Sequence, residues 1–347
     1  METSSHLLKK PTTKSITVSI LGAPNVGKST LLNSLLGEEL AIVSPTPQTT
    51  RNKLRCITVV DNTEIILTDT PGHHRPSVEL NQRLNQQAWE GLQGAELNLL
   101  LLDITKNFIT QWQDFKRHLL QTPFASSRKL APFFLVFTKV DLSPLSYEEE
   151  FKRCELFFLE QQKEQQQKQE YEGTEENALF FKKFFLISSH QDKNLDELVV
   201  SITDEAPLSR HLYPEGDLSD RSERFFVSEF IREQAFNLLK DEVPHQLAVF
   251  IESFEDLRES SSPICHIAAS IVVNKQSQKP IVIGQKGQRI KEIGTLARQK
   301  IEKLLGSKVL LNLHVKVSPG WFKNNFVLEE LGLPRQNYAP RAWRKKI

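Results

Sequence analysis

The apolar positions fall into short runs separated by polar, glycine-bearing breaks. Ser15 to Leu21 (SITVSIL) reads as a buried strand, and Leu31 to Leu36 continues as a helix. Leu54 to Val60 and Thr63 to Asp69 flank Asp61-Asn62, a two-residue turn signal, and predict an antiparallel hairpin. A helix is expected over Val78 to Leu92. Ala95 to Asp103 and Pro132 to Phe137 are near-continuous apolar runs, the pattern of strands buried on both faces. Phe180 to Ile187 is the last strand of this series. Helices are expected over Gln111 to Leu120 and Leu195 to Thr203. Strands and helices alternating in this way predict a doubly wound α/β domain over residues 14–206, behind a tail over 1–13. The stretch from Ser146 to Asn177 interrupts it. Rich in Gln, Glu and Lys, it lacks an apolar stripe after Leu159 and predicts a solvated surface helix.

The pattern changes after Ala206. Residues 207–222 are polar, with Pro, Ser and Gly, and read as a linker. Phe226, Phe230, Ile231, Leu238 and Leu239 then mark an amphipathic helix over Glu223 to Lys240. Strands are expected over His245 to Ser253, Ile264 to Val273 and Lys308 to Val317, with one helix ahead of the loop at Gly284 and another over Thr295 to Leu305. The order α-β-β-α-α-β predicts a smaller α+β domain over 223–330, followed by a basic tail over 331–347.

Charge sharpens the division. The 347 residues carry a formal net charge of +1. From Lys275 onward, however, 16 Lys/Arg stand against 4 Asp/Glu, a net +12. The remainder is acidic, so the C-terminal part is the one suited to an anion, with nucleic acid the leading candidate. No run approaches the ~18 apolar residues of a membrane span, and the first 15 residues lack the apolar core of a secretory leader. Cys56, Cys154 and Cys265 are far apart in the chain and are expected to be reduced thiols.

Four motifs carry the chemistry. Gly22, Ala23, Pro24, Asn25, Val26, Gly27, Lys28, Ser29 and Thr30 fit the phosphate-binding pattern G-x-x-x-x-G-K-[ST] between a strand and a helix. Its glycines let backbone N–H groups surround phosphates, Lys28 adds charge, and the Ser29 hydroxyl suits Mg²⁺. Asp69, Thr70, Pro71 and Gly72 end a strand with a carboxylate that reaches Mg²⁺ through water and a glycine that senses the γ-phosphate. Thr138, Lys139, Val140 and Asp141, with Ser188, Ser189 and His190, make a guanine reader. The Asp141 carboxylate accepts from guanine N1–H and N2–H₂, a donor pair that adenine lacks. In the second domain, Gly284, Gln285, Lys286 and Gly287 form a G-x-x-G loop. With Arg289 beside it, the loop lets a single-stranded RNA backbone approach.

The order GAPNVGKS, PQTTR, DTPG, TKVD, SSH resembles a translation-factor-class GTPase, and PQTTR with DTPGxH is similar to the Era family in particular. The I-G-x-x-G-x-x-I core of the second domain resembles a type II KH domain. The likeness covers roughly Lys14 to Leu333. It implies a P-loop GTPase with GTP/GDP and Mg²⁺, the metal held by Ser29, Asp69 through water, and Thr50, with Thr49 the near alternative. It implies a switch loop at Gln48, Thr49, Thr50, Arg51 and Asn52. It also implies binding near the 3′ end of small-subunit (16S-type) ribosomal RNA during subunit maturation. The protein would then be a cytoplasmic monomer, with peripheral contact at the inner face of the cell membrane left open. Two positions depart from the family. Thr138 replaces the usual Asn, so an amide that ties the base to the phosphate loop is lost. His73 replaces an aliphatic residue and is a candidate for orienting the attacking water. A protein-binding adaptor, or an RNA-modifying enzyme using Cys265 as nucleophile, remain the other classes. Trp321, Phe322 and Phe326 suit either base stacking or packing on the sheet.

Overall fold

The computed structural model describes residues 12–44, 54–69, 92, 94–120, 130–172, 179–331 and 333. The readings for Gln48, Thr49, Thr50, Arg51, Asn52, Thr70, Pro71, Gly72 and His73, and for the helix over Val78 to Leu92, fall almost wholly outside that set. The chain divides into two compact units, with a boundary between Asp220 and Arg221.

The first unit is built on one sheet of six strands: β1 (Lys14–Gly22), β2 (Leu54–Val60), β3 (Thr63–Asp69), β4 (Leu97–Asp103), β5 (Phe133–Thr138) and β6 (Phe181–Leu186). Their order is β2-β3-β1-β4-β5-β6. All neighbours are parallel except β2, which runs antiparallel to β3. Every residue of β3, β4 and β5 is buried, as their unbroken apolar runs require. The helices described are α1 (Lys28–Leu36), α2 (Phe108–Leu120), α3 (Tyr147–Glu172) and α4 (Leu195–Glu205). The chain winds one way from β1 to β3 and the other way to β4. The carboxyl ends of β1, β3, β4 and β5 therefore meet at the switch point where such sheets bind ligands.

Helix α3 does two things along its length. Cys154, Phe157 and Phe158 are buried at spacings of three and four, and Phe157 sits 5.3 Å from Phe108. This N-terminal half belongs to a core with Trp112, Phe115, Phe133 and Phe181. The polar half beyond it carries no such stripe. Lys116 of α2 reaches Glu164 there, at 2.7 Å.

The segment 207–222 is held to the first unit over most of its length. Ile57 N–H donates to the Leu218 carbonyl at 2.9 Å, along the free edge of β2. Glu64, 1% exposed, accepts from Leu212 N–H and Tyr213 N–H, both within 3.0 Å, and from Ser15 Oγ at 2.7 Å. A composition typical of a linker thus covers a docked strap, because a buried carboxylate organises its backbone donors.

The second unit holds α5 (Glu223–Leu238), β7 (Leu247–Leu257), β8 (Ile264–Val273), α6 (Gln278–Ile283), α7 (Gln288–Leu305), β9 (Lys308–Val317) and α8 (Asn325–Glu330). The sheet order is β7-β8-β9, with β8 antiparallel to β7 and parallel to β9. Ile293, Ala297, Ile301 and Leu305 form the buried stripe of α7. This helix begins seven residues before the expected Thr295, because Gly287 takes the left-handed conformation that starts it. The structure separates the three aromatics. Trp321 is 1% exposed and its indole N–H donates to the Gln246 carbonyl at 2.9 Å, so it packs. Phe322 is partly buried against the same cluster, and Phe326 is 74% exposed. Cys265 is fully buried, and burial and Asp256 push its thiol pKa up. It is unsuited to nucleophilic catalysis, and Cys265→Ala is expected to leave RNA and nucleotide binding unchanged in a titration of the full chain.

Candidate functional site

The phosphate loop follows β1 directly. Gly22 has φ +147°, and a Cβ there would lie 2.7 Å from the Leu101 carbonyl oxygen. Only glycine fits between β1 and β4 at this point. Asn25 (φ 59°) and Gly27 (φ 103°) are also left-handed, so the chain curls tightly before α1 begins at Lys28. Such a curl beside a helix N-terminus is an anion cradle. Lys28 is buried, and its Nζ donates to the carbonyls of Gly22 at 3.2 Å and Ala23 at 2.9 Å. Burial lowers its pKa, while the nearby Asp69 opposes that shift.

Ser29 Oγ donates to Asp69 Oδ2 at 2.9 Å, which brings the first turn of α1 to the end of β3. A hydroxyl and a buried carboxylate side by side form the hard-oxygen pair that Mg²⁺ prefers, and these residues fit that ion. Thr50, the third residue implied, lies outside the described set.

The guanine loop follows β5. Lys139 is left-handed (φ 63°, ψ 36°), and Asp141 sits in the turn Val140–Leu142. The Thr138 hydroxyl donates to the Val26 carbonyl at 2.7 Å. The threonine thus keeps a tie between guanine loop and phosphate loop that the loss of an amide had put in doubt. Thr138→Val keeps the shape and removes that bond, leaving a buried carbonyl without this donor. A rise in GDP Kd of about 5–20-fold is expected in a fluorescent-nucleotide titration, and an unchanged Kd would show the tie to be idle. On the far side, Ser188 and Lys193 exchange backbone hydrogen bonds at 2.9 and 3.2 Å and close the turn that carries Ser189 and His190. Ser34 Oγ holds the Ser189 carbonyl at 3.0 Å, so α1 fixes this turn too. The structure therefore gathers the described members of the phosphate, metal and guanine sets at one end of the sheet.

In the second unit, Gly284 (φ 74°, ψ 176°), Lys286 (φ 49°) and Gly287 (φ 79°) give the α6–α7 connection a backbone suited to glycine. Lys286 is exposed. The Arg289 guanidinium donates through one nitrogen to the Leu238 carbonyl at the end of α5. Beside this loop lies a groove of about 240 Å³ between α7 and β9. Leu311 and Leu313 give it an apolar floor, and Lys291, Thr295 and Arg298 line its α7 side. The sequence held a signal for it, since these three polar residues recur at helical spacing. The strand that completes the groove was not legible from that spacing.

Residues 17–139 match the family described as 50S ribosome-binding GTPase, and residues 242–322 match the KH domain family. The chain is 37% identical over 315 residues to GTPase Era of Lacticaseibacillus paracasei, covering 91% of this chain and 95% of that protein. It is 38% identical over 319 residues to GTPase Era of Clostridium novyi, covering 92% and 98%.

The chain belongs to the Era GTPase family.

Among solved structures, it is similar to Era in complex with MgGDPNP and nucleotides 1506–1542 of 16S ribosomal RNA. That match has a TM-score of 0.79, with 31% identity over 93% of this chain and all of that one. A single-residue variant of Aquifex aeolicus Era bound to GDP·AlF4⁻ matches with a TM-score of 0.78 and 30% identity, again over 93% of this chain and all of that one. The described motif residues of the first unit lie together in the fold, but sequence reading missed several contacts around them. Asp103, Gln111 and Glu64 lie outside every motif and became visible only through their partners. Within the reader itself, Asp141→Asn is expected to shift preference from GTP toward xanthine nucleotides by about 100-fold or more, because an amide pairs with a base that accepts where guanine donates. Competition between GTP and XTP for a labelled nucleotide checks this, and an unchanged GTP preference would contradict the assignment.

Proposed function

We propose that this chain is a GTP-hydrolysing switch that binds the 3′ end of 16S-type ribosomal RNA through its second unit and assists maturation of the small ribosomal subunit. The observation that carries the reading is the pairing, in one chain, of a guanine-nucleotide site with a glycine-bounded loop beside a basic, apolar-floored groove. GTP is the substrate. Lys28 meets its phosphates, and Asp141 selects the base. Ser29 and Thr50, with Asp69 acting through water, would hold Mg²⁺ beside the phosphates, where the ion would supply positive charge. Lys286 and the backbone at Gly284 and Gly287 take the RNA phosphates, and the groove between α7 and β9 takes bases over Leu311 and Leu313. Intrinsic turnover is slow, as it is where positioning supplies most of the catalysis and a partner completes it.

No helix among the described residues is long and apolar enough to cross a membrane. We place the protein in the cytoplasm as a monomer, with any membrane contact peripheral. The test is RNA binding by the full chain, using fragments from the 3′ end of 16S ribosomal RNA, with a non-hydrolysable GTP analogue and with GDP. Selective binding that is tighter with the analogue supports the reading. Equal affinity for unrelated RNA, or none, overturns it and brings a protein partner forward.

A further inference from the structure

We propose that Asp103 is the positioning residue of the guanine-recognition loop, acting through Lys139. The proposal rests on the guanine-site reading and adds a residue that lies in none of the recognition motifs. Asp103 is the last residue of β4 and pairs in register with Thr138, the first residue of that loop. Its side chain is 1% exposed. One carboxylate oxygen accepts from Thr105 Oγ1 at 2.6 Å and Thr105 N–H at 3.1 Å. The other accepts from Lys139 Nζ at 2.7 Å, with Lys106 at 3.5 Å on the solvent side. The backbone is clamped as well. Asp103 N–H donates to Gln111 Oε1 at 3.0 Å, and Gln111 Nε2 donates to the Asp103 carbonyl at 2.9 Å.

Lys139 closes the chain of contacts by donating to the Asn25 carbonyl in the phosphate loop at 2.7 Å. A lysine stem otherwise samples many rotamers, and fixing it when a base arrives reduces affinity. Here a buried, immobile carboxylate fixes it beforehand, so the aliphatic stem is already laid between the two loops where the base binds. Burial by itself would raise the Asp103 pKa. The hydrogen bonds from Lys139 and Thr105 outweigh that and hold it below the usual carboxylate range, so the clamp is charged at neutral pH. A structural role alone would end at Thr105 and Gln111 and would be indifferent to Lys139.

The experiment is a double-mutant cycle on the full chain, read by fluorescent GDP and GTP titration. Asp103→Asn is expected to raise both Kd values about 10–50-fold, and Lys139→Met is expected to raise them at least as much. The double variant is expected to bind no more weakly than Lys139→Met alone, because the clamp has nothing left to hold. Effects that multiply, or an Asp103→Asn variant with the parent Kd and only a lower melting temperature, would overturn the proposal. Asp141→Asn, run in parallel, separates the two failures. If it leaves base preference unchanged, the guanine site itself is misassigned. If it shifts preference while the cycle is additive, the site stands and Asp103 is merely structural.

Discussion

Lys28→Met is expected to lose guanine-nucleotide binding yet to melt no lower than the parent in the absence of nucleotide. The Lys28 ammonium belongs to a residue 7% exposed and faces the carbonyls of Gly22 and Ala23. Desolvation is the larger influence on it and lowers its pKa, while Asp69 offsets this only in part. A depressed pKa means that folding disfavours the charged form. The stability this residue contributes is present above its unfolded pKa and is lost as pH falls through the folded value. Burial of the ammonium therefore weighs against the nucleotide-free fold, and methionine keeps the apolar stem while removing that cost. With nucleotide the balance reverses. Charge-assisted hydrogen bonds are worth about 1.5–3 kcal/mol each, so losing those to the phosphates raises Kd about 100-fold or more. Thermal melting with and without GDP, beside a nucleotide titration, checks both halves. Tight GDP binding by the variant, or a clearly lower melting temperature without nucleotide, would refute the account.

Gly287→Asp is expected to lose RNA binding and to keep both fold and nucleotide affinity. Gly287 has φ +79°, and a Cβ there meets no described atom within 4 Å. Aspartate tolerates this left-handed conformation at a cost of about 1 kcal/mol. The new carboxylate stands next to Lys286, where an RNA phosphate must approach. An RNA Kd at least about 30-fold weaker is expected. Gly284→Ala behaves differently, because its Cβ would fall 2.5 Å from Arg289 Cβ and 2.9 Å from Arg289 N. That conformation is close to glycine-only, so this variant is expected to destabilise the second unit by about 2–4 kcal/mol. Melting temperatures and RNA titrations of both proteins distinguish the two. A Gly287→Asp protein that binds RNA like the parent would remove the loop from the interface.

The two departures from the family pattern show where reading a chain stops. At Thr138 the missing amide was legible and the compensating hydroxyl contact with Val26 was not. At His73 the sequence raises a catalytic question that lies outside the described residues. Arg289 shows the converse. Beside a G-x-x-G loop it reads as a phosphate contact, and the fold adds a contact the sequence did not suggest, from its guanidinium to the end of α5.

The sequence by itself determined the order of the strands along the chain, the glycine pattern of the phosphate loop, the place of Asp141 just after β5 and the glycines of the second loop. All of these rest on local rules: periodicity sets the element, glycine sets the backbone, and residue type sets charge and donors. Only the tertiary structure decided the supports. Thr138 meets Val26 across 112 residues, and Lys139 meets Asp103 across 36. Glu64 holds the 207–220 strap across 148, and Leu311 and Leu313 complete the groove on α7. Strand order and register bring these pairs together. A contact fixed by sheet register leaves no trace in the residues on either side of it, so no local pattern could have announced it.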